Sequence, residues 1–427
     1  MNILIIGNGG REHALAWKAS QSPLADKVFV APGNAGTALE KTLTNINIAI
    51  TDIKGLVNFA KNNSIGLTIV GPEAPLILGV VDAFQAENLT IFGPSQKAAQ
   101  LEGSKIFAKN FMTRHKIPTA DYHSFTQVVP ALAYLEKINV PIVIKADGLA
   151  AGKGVIIAMT LEEAKKTVQE ILAENAFGQA GHRIIIEEFL DGEEATFIVM
   201  VDGKNIIPMA TSQDHKRIGN NDSGPNTGGM GAYSPAPIIT DIIHQRTMDK
   251  IIYPTVQGMM FEGRRYQGFL YAGLMIDKQG NPKVIEFNCR FGDPETQPIM
   301  MRLQSDLVEL CLIATKGELG GKILLWDERP ALGVVMASEG YPKNYRKGDI
   351  IYGLFNPLAD GCKIFHAGTE LKQNQVITTG GRVLCITAIG STLLDAKNIA
   401  YSQVSKISWP GCFYRHDIAY RALYNLK

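Results

Sequence analysis

Glu286, Asn288 and Arg290 recur at alternate positions of VIEFNCR, a segment that reads as a strand. Alternation aims the three side chains to one face. A carboxylate and an amide oxygen are hard donors suited to a magnesium ion that also holds nucleotide phosphates, and a guanidinium beside them can stabilise charge on a transferring phosphoryl group. By itself the pattern also fits a solvated strand face. Phe-Gly-Asp-Pro at 291–294, directly after it, points to a specified turn.

Two glycine-rich loops add phosphate chemistry. In KADGLAAGKGV, Lys145 ends one strand, and Gly148, Gly152, Lys153 and Gly154 form a turn before the next. A flexible backbone with cations on both sides can close over a triphosphate. This is no Walker loop, because Gly154 stands where Ser or Thr is needed and VIIAMT reads as a strand. An ordinary hairpin turn is the plainer alternative, and the bracketing lysines favour phosphate. In GNGGREH at 7–13, the backbone around Gly9 and Gly10 and the Arg11 guanidinium could meet a phosphate at a helix N-terminus. A tight strand-to-helix turn explains that loop equally well. Glu12 occupies the place of a third glycine, and the second strand, KVFVA, lacks an acidic ribose binder at its end, so a dinucleotide fits poorly.

Such residues need a frame, and 427 residues suffice for several domains at ~100–200 residues each. From Met1 to about Gly93, short apolar strands (NILIIG, KVFVA, LTIVG, TIFG) alternate with helical stretches. That alternation predicts a parallel α/β sheet with a ligand crevice at the carboxyl ends of its strands. After Leu101 the order strand, glycine turn, strand, helix, strand predicts a compact α+β unit with a mobile hairpin. NNDSGPNTGGMGAYSPAP at 220–237 reads as a long loop without regular structure, of the kind usually functional or disordered. From about Pro330, ALGVVMAS, KIFHAG and GRVLCITAIG predict a small, mostly β domain.

Composition excludes several classes. With 46% hydrophobic residues, 19% charged and a net charge of +1, nothing draws the whole chain to nucleic acid or a membrane. No apolar run approaches the ~18 residues of a membrane span, and the N-terminal run is too short for a signal peptide. Cys289, Cys311, Cys362, Cys385 and Cys412 are odd in number and widely spaced, which suits a reducing cytoplasm and no zinc site.

Together these residues resemble the ATP-grasp superfamily and, within it, the phosphoribosylamine–glycine ligases (glycinamide ribonucleotide synthetases) of purine biosynthesis. The resemblance runs over essentially the whole chain. It includes GNGGREHA at 7–14, APGNAGTA at 31–38, GPEAPL at 71–76, LEGSK at 101–105, QDHKR at 213–217 and WPGCFYRHDI at 409–418. RFGDPETQ at 290–297, together with GPNTGGMGAYSP at 224–235, is close to diagnostic.

That resemblance implies an α/β and α+β architecture. It has an N-terminal parallel α/β substrate-binding domain (1–103), a central ATP-grasp fold (104–327, with a mobile lid at about 120–187) and a small, mostly β C-terminal domain (328–427). It implies ligation of glycine to 5-phosphoribosylamine through glycyl phosphate, with ATP and magnesium, manganese being a possible substitute. Lys105 and Lys145 would contact ATP phosphates under a lid containing Gly148, Gly152, Lys153 and Gly154. Backbone groups of Glu187 and Leu190 would recognise adenine, and Glu194 the ribose. Glu286 and Asn288 would hold the metal, Lys216 would approach the γ-phosphate, and Arg290 would stabilise the transferring group. Asp214 and Asp293 would face the glycine ammonium or the incoming amine. Glu73 would bind sugar hydroxyls, while Gly9, Gly10, Arg11 and Arg382 would hold the 5-phosphate.

Two departures stand out. Gly273 or Leu274 occupies the register where many ATP-grasp enzymes carry a further acidic metal ligand, and Ala419 replaces a usual glycine. Acyl phosphates hydrolyse, so the 148–154 and 219–235 segments are expected to gate water. Expected partners are the small-molecule substrates alone, with no nucleic acid and no membrane. The expected state is a monomer or weak homodimer, receiving phosphoribosylamine by transient handover from the enzyme that makes it. The rival readings are another ATP-grasp ligase or ribonucleotide carboxylase, a nicotinamide-dependent oxidoreductase, and a scaffold built on a retired ligase.

Overall fold

The computed structural model describes residues 1–148, 154–174 and 181–424. Gly152 and Lys153 lie outside the described residues.

The N-terminal unit is a five-stranded, all-parallel sheet in the order Leu43–Asn45, Lys27–Pro32, Asn2–Gly7, Ile65–Val70, Ile91–Phe92. Crossover helices cover both faces. Ile3, Leu4, Ile5 and Ile6 are therefore all fully buried, which is why this strand is a continuous apolar run instead of an alternation. The helix Gly10–Ala19 starts at the carboxyl end of the central strand, where the sequence places the first glycine loop.

Two antiparallel sheets follow. One joins Ile206–Pro208, Glu193–Asp202, Gln267–Ile276 and Pro282–Asn288. It packs on the first unit through an edge-to-face contact of Phe92 with Phe269, ring centres 4.9 Å apart. The other joins Tyr122–Phe125, Ile184–Glu188, Ile142–Ala146 and Val155–Ala158, backed by helices Val128–Leu135 and Leu161–Leu172. It has its own core, including Leu135, Ile144, Val168 and Ile186, and occupies the span expected for the lid.

A third antiparallel sheet has the order Gln213–Asp214, Gly231–Ser234, Ala331–Ala337, Arg382–Ile389, Cys362–His366. Its first two strands come from the middle of the chain. This corrects the expectation for 220–237. The stretch is no structureless loop: Gly231–Ser234 is buried throughout, and Arg217–Gly219 pairs with Ser223–Asn226 in a hairpin. Nor does it hang free as a gate. Asp222 is held by Arg415 at 2.8 Å and by the Tyr420 hydroxyl at 2.7 Å, and Asp417 accepts from the Asn221 N–H at 2.7 Å. The glycines and asparagines that suggest a loop serve a tight turn, with Asn221 and Asp222 at positive φ.

All five cysteines are free. Among the described residues no helix is long and apolar enough to cross a membrane.

Candidate active site

The parallel sheet and the three antiparallel sheets meet around one cavity of about 860 Å³. Its walls bring together Arg11, Glu73, Lys105, Lys145, Gly154, Glu187, Leu190 and Glu194 with Asp214, Lys216, Glu286, Asn288, Arg290, Asp293 and Arg382. Gly9 and Gly10 lie just behind, where a Cβ on either would come within 3.5 and 3.6 Å of the Asp293 carboxylate. Gly148 takes part through its carbonyl, which accepts from Lys105 Nζ at 2.6 Å.

The pair expected to hold the metal is set by strand register. Glu286 and Asn288 lie on Pro282–Asn288 opposite Gly273 and Tyr271. Gly273 is thus the residue in the register of a further acidic ligand; a Cβ there would lie 3.4 Å from Glu286 Cγ. Burial pushes the Glu286 carboxyl up, but Lys216, Lys145 and Lys105 outweigh it and hold the group below its ordinary range. An ionised carboxylate and an amide oxygen are a donor set that fits magnesium when phosphate and water complete the octahedron. Among the described residues there is no cluster of three or more His, Cys, Asp or Glu that could hold a metal without such help.

Arg290 departs from the expected alternation, because the strand ends at Asn288. Its Nη2 lies 2.8 Å from Glu102 and its Nε 3.2 Å from Glu73. Burial pushes Glu73 up, yet Arg290 and Arg11 prevail and bring it to about 2. Glu102 is more enclosed, and burial pushes it up to about 7 against the pull of Arg290. The carboxylate expected to bind sugar hydroxyls is therefore also one half of the brace on the arginine expected to stabilise the transferring group.

The first glycine loop is also corrected in part. The Gly9 N–H donates to Glu12 Oε2 at 2.6 Å and is not free for a phosphate. Glu12 packs against Gly7 and Gly71, where a Cβ on either glycine would collide with its side chain. On the same side, Arg382 lies 3.2 Å from Asp293 and donates to the Gly228 carbonyl at 2.6 Å.

Lys216 Nζ stands 3.6 Å from Glu194 and 3.8 Å from Glu286. Burial raises the Asp214 carboxyl well above its ordinary range against Lys216, and Glu295, Glu194 and Glu286 add to the rise. Carboxylates outnumber cations here, and an incoming ammonium would restore the balance. Glu187 stands in mid-sheet between Tyr122 and Val143, so its backbone is committed to the ladder, contrary to expectation. It offers the cavity its carboxylate instead.

Sequence reasoning missed Glu102, Lys109, Glu295 and the Tyr341 hydroxyl, which accepts from the Gly228 N–H at 2.9 Å. Glu102 and Glu295 lie inside motifs already singled out, LEGSK and RFGDPETQ, and were legible there; Lys109 and Tyr341 carried no such signal.

Comparison with known proteins agrees with this geometry. Residues 1–102, 103–296 and 331–421 match in turn the N domain, the ATP-grasp (A) domain and the C domain of phosphoribosylglycinamide synthetase. The chain belongs to the phosphoribosylglycinamide synthetase family. The phosphoribosylamine–glycine ligases of Escherichia coli K12 and Yersinia pestis are 68% and 67% identical to it, over 99% of each chain. The crystal structure of the Thermotoga maritima phosphoribosylamine–glycine ligase superposes with a TM-score of 0.82 at 33% identity, covering 98% of this chain and 100% of that one. The biotin carboxylase domain of Hydrogenobacter thermophilus 2-oxoglutarate carboxylase shares the fold, with a TM-score of 0.72 at 16% identity over 96% of this synthetase-family chain and 91% of the other.

Proposed function

We propose that the chain joins glycine to 5-phosphoribosylamine in purine biosynthesis, consuming ATP and giving glycinamide ribonucleotide, ADP and phosphate. The observation that carries this reading is the opposition of two chemistries in one cavity. Lys105, Lys145, Lys216, Glu286 and Asn288 suit a metal–triphosphate on one side, and Arg11, Glu73, Asp293 and Arg382 suit a phosphorylated sugar amine on the other. The proposed division is 1–103 for the sugar phosphate, 104–327 for ATP with its lid at about 120–187, and 328–427 closing the site.

A carboxylate is a poor electrophile with no good leaving group, and ATP supplies both remedies. A glycine carboxylate oxygen attacks the γ-phosphorus, the bond to the bridging oxygen breaks, and ADP departs, with Lys216 and Arg290 placed to neutralise the oxygens in transit. Magnesium, with manganese as the alternative, would sit on Glu286 and Asn288 and supply Lewis-acid neutralisation of phosphate charge. The amine of phosphoribosylamine then attacks the acyl carbon of glycyl phosphate, phosphate leaves, and Asp293 or Asp214 can take the proton released from nitrogen. Because the Gly9 N–H is given to Glu12, the 5-phosphate is flanked by Gly10, Arg11 and Arg382, and the nucleoside by Leu190 and Glu194. No nucleophilic side chain is needed, and burial holds the Cys289 thiol far above its ordinary range, as suits a packing residue. The working form is a monomer or weak homodimer in the cytoplasm, taking phosphoribosylamine directly from the enzyme that makes it.

The test measures ADP release with ATP, magnesium and glycine, with and without phosphoribosylamine formed from ribose 5-phosphate and ammonia, and weighs the product. Turnover that needs both substrates and yields the glycinamide supports the reading. ADP release indifferent to glycine overturns it.

A further inference from the structure

Lys109 has its side chain only 3% exposed, a costly position for an ammonium unless its charge is answered. It lies on the helix Lys105–Arg114, one turn beyond Lys105, and borders the same cavity. Its Nζ donates to Thr119 Oγ1 at 2.8 Å and to the Ala120 carbonyl at 3.2 Å, and stands 3.2 Å from Glu187 Oε2. Lys145 Nζ lies 2.9 Å from that same oxygen. The other oxygen, Glu187 Oε1, is buried and has no hydrogen-bond partner among the described residues. Both lysines thus share one carboxylate oxygen and leave its twin bare. Around this pair the cavity wall is apolar, with Met112, Val143, Ile157 and Phe287, which suits a flat base.

The two lysines differ in what they can do next. Lys145 ends its strand beside the glycine loop and also reaches the Ile285 carbonyl at 3.2 Å, next to the metal-binding Glu286. A triphosphate would draw it away from Glu187. Lys109 is fixed by Thr119 and Ala120 and has no such exit. A buried carboxylate stripped of its only cation would take up a proton or rotate, and either change spoils it as an acceptor.

We propose that Lys109 is a positioning residue for nucleotide selection: it is the permanent counter-ion of Glu187, pinning Oε2 so that Oε1 accepts from the exocyclic amine of adenine while Lys145 serves the phosphates. The proposal rests on the ATP reading above.

The test compares the full-length wild type with Lys109→Met, using ATP and inosine triphosphate, whose base carries an oxygen where adenine has its amine. KM for ATP is expected to rise about tenfold, with kcat and KM for glycine changed less than about threefold. The preference for ATP over inosine triphosphate should fall by about the same factor, since a lost hydrogen bond to the base is what separates the two. In a Glu187→Gln background, Lys109→Met should add nothing to KM for ATP, because no carboxylate remains to be held. An unchanged KM and preference overturns the proposal. So does a uniform rise of every KM with a lowered melting temperature, the mark of a merely structural lysine. Should Lys109→Met fail to fold, Lys109→Gln, which is one bond shorter but keeps a polar donor without the charge, is read the same way. Calorimetric titration with ATP and with inosine triphosphate separates the two readings: a wild type that binds ATP without turnover fails the ligase reading, and the Lys109 comparison is then read from the dissociation constants of the two nucleotides, whereas one that binds no ATP sinks both.

Discussion

The backbone N–H of Ala419 donates to Nε2 of His215 across 2.9 Å. His215 sits between Asp214 and Lys216, so this bond ties the C-terminal segment to the end of the strand Gln213–Asp214. The accepting nitrogen makes the imidazole neutral, in keeping with burial, which together with Arg415 lowers its pKa to about 3. Ala419 makes the bond from a left-handed backbone, φ +66°.

That conformation costs an L-residue roughly 1–2 kcal/mol, which glycine avoids. The buried Ala419 methyl returns about 0.8 kcal/mol. Ala419→Gly is therefore expected to stabilise the chain slightly, by up to about 1 kcal/mol, in urea unfolding. A loss of stability would show that the methyl matters more to packing than the backbone does.

Arg290→Ala should lower turnover by at least about 100-fold while ATP binding largely persists, because the guanidinium acts on developing charge. It should also cost about 3 kcal/mol of stability, since Glu102 and Glu73 lose their shared cation. Adding Glu102→Gln should recover part of the stability and none of the turnover. Paired melting curves and rate measurements decide it; turnover near wild type removes Arg290 from the mechanism.

Asp222→Asn should loosen the hairpin Arg217–Asn226 from the C-terminal segment, because the charged bonds to Arg415 and Arg421 weaken. Faster amide hydrogen exchange over 217–226 and a several-fold drop in turnover, with KM for ATP little changed, are the expected readouts. Unaltered exchange would mean that the pairing of Gly231–Ser234 holds the hairpin without the latch.

Glu40 bridges the N- and C-terminal units, 3.5 Å from His13 Nε2 and 2.5 Å from Lys363 Nζ. The His13 ring beside it, with Lys363, brings its carboxyl down from 4.5 to about 2 against burial. A carboxylate lowered on folding stabilises above its unfolded value and loses that contribution as pH falls through its folded one. Wild type should exceed Glu40→Gln by about 2 kcal/mol at neutral pH, allowing for partial exposure, and the gap should close between pH 4.5 and 2. Acid titration of both proteins, followed by circular dichroism, tests this; a gap that persists at the acid end would argue against it.

The parallel sheet and the Glu286–Asn288 pair were legible because period and burial are local: four consecutive apolar residues from Ile3 to Ile6 can hardly be anything but a strand covered on both faces. What stayed hidden depends on partners distant in sequence. Gly231–Ser234 looks like loop until Ala331–Ala337 is beside it, Gly231 opposite Val334. Arg290 continues an alternation on paper but turns toward Glu73 and Glu102, which belong to the first hundred or so residues. Lys109 reads as one more helix lysine until Glu187 arrives from another sheet.

The sheet that holds Asp214 has a further meaning for synthesis. A ribosome delivers Gln213–Asp214 and Gly231–Ser234 long before it makes Ala331–Ala337 and Arg382–Ile389, the strands on which they rest. Until then those two strands have only each other and the Thr196–Ser212 bridge, and the growing chain carries an open edge that other strands can pair with. Interrupted translation would thus leave fragments holding most of the phosphate-binding groups yet unable to arrange them. The sheet that carries Asp214 is complete only once Arg382–Ile389 has been made, so the site is assembled by the closing stretch of the polypeptide.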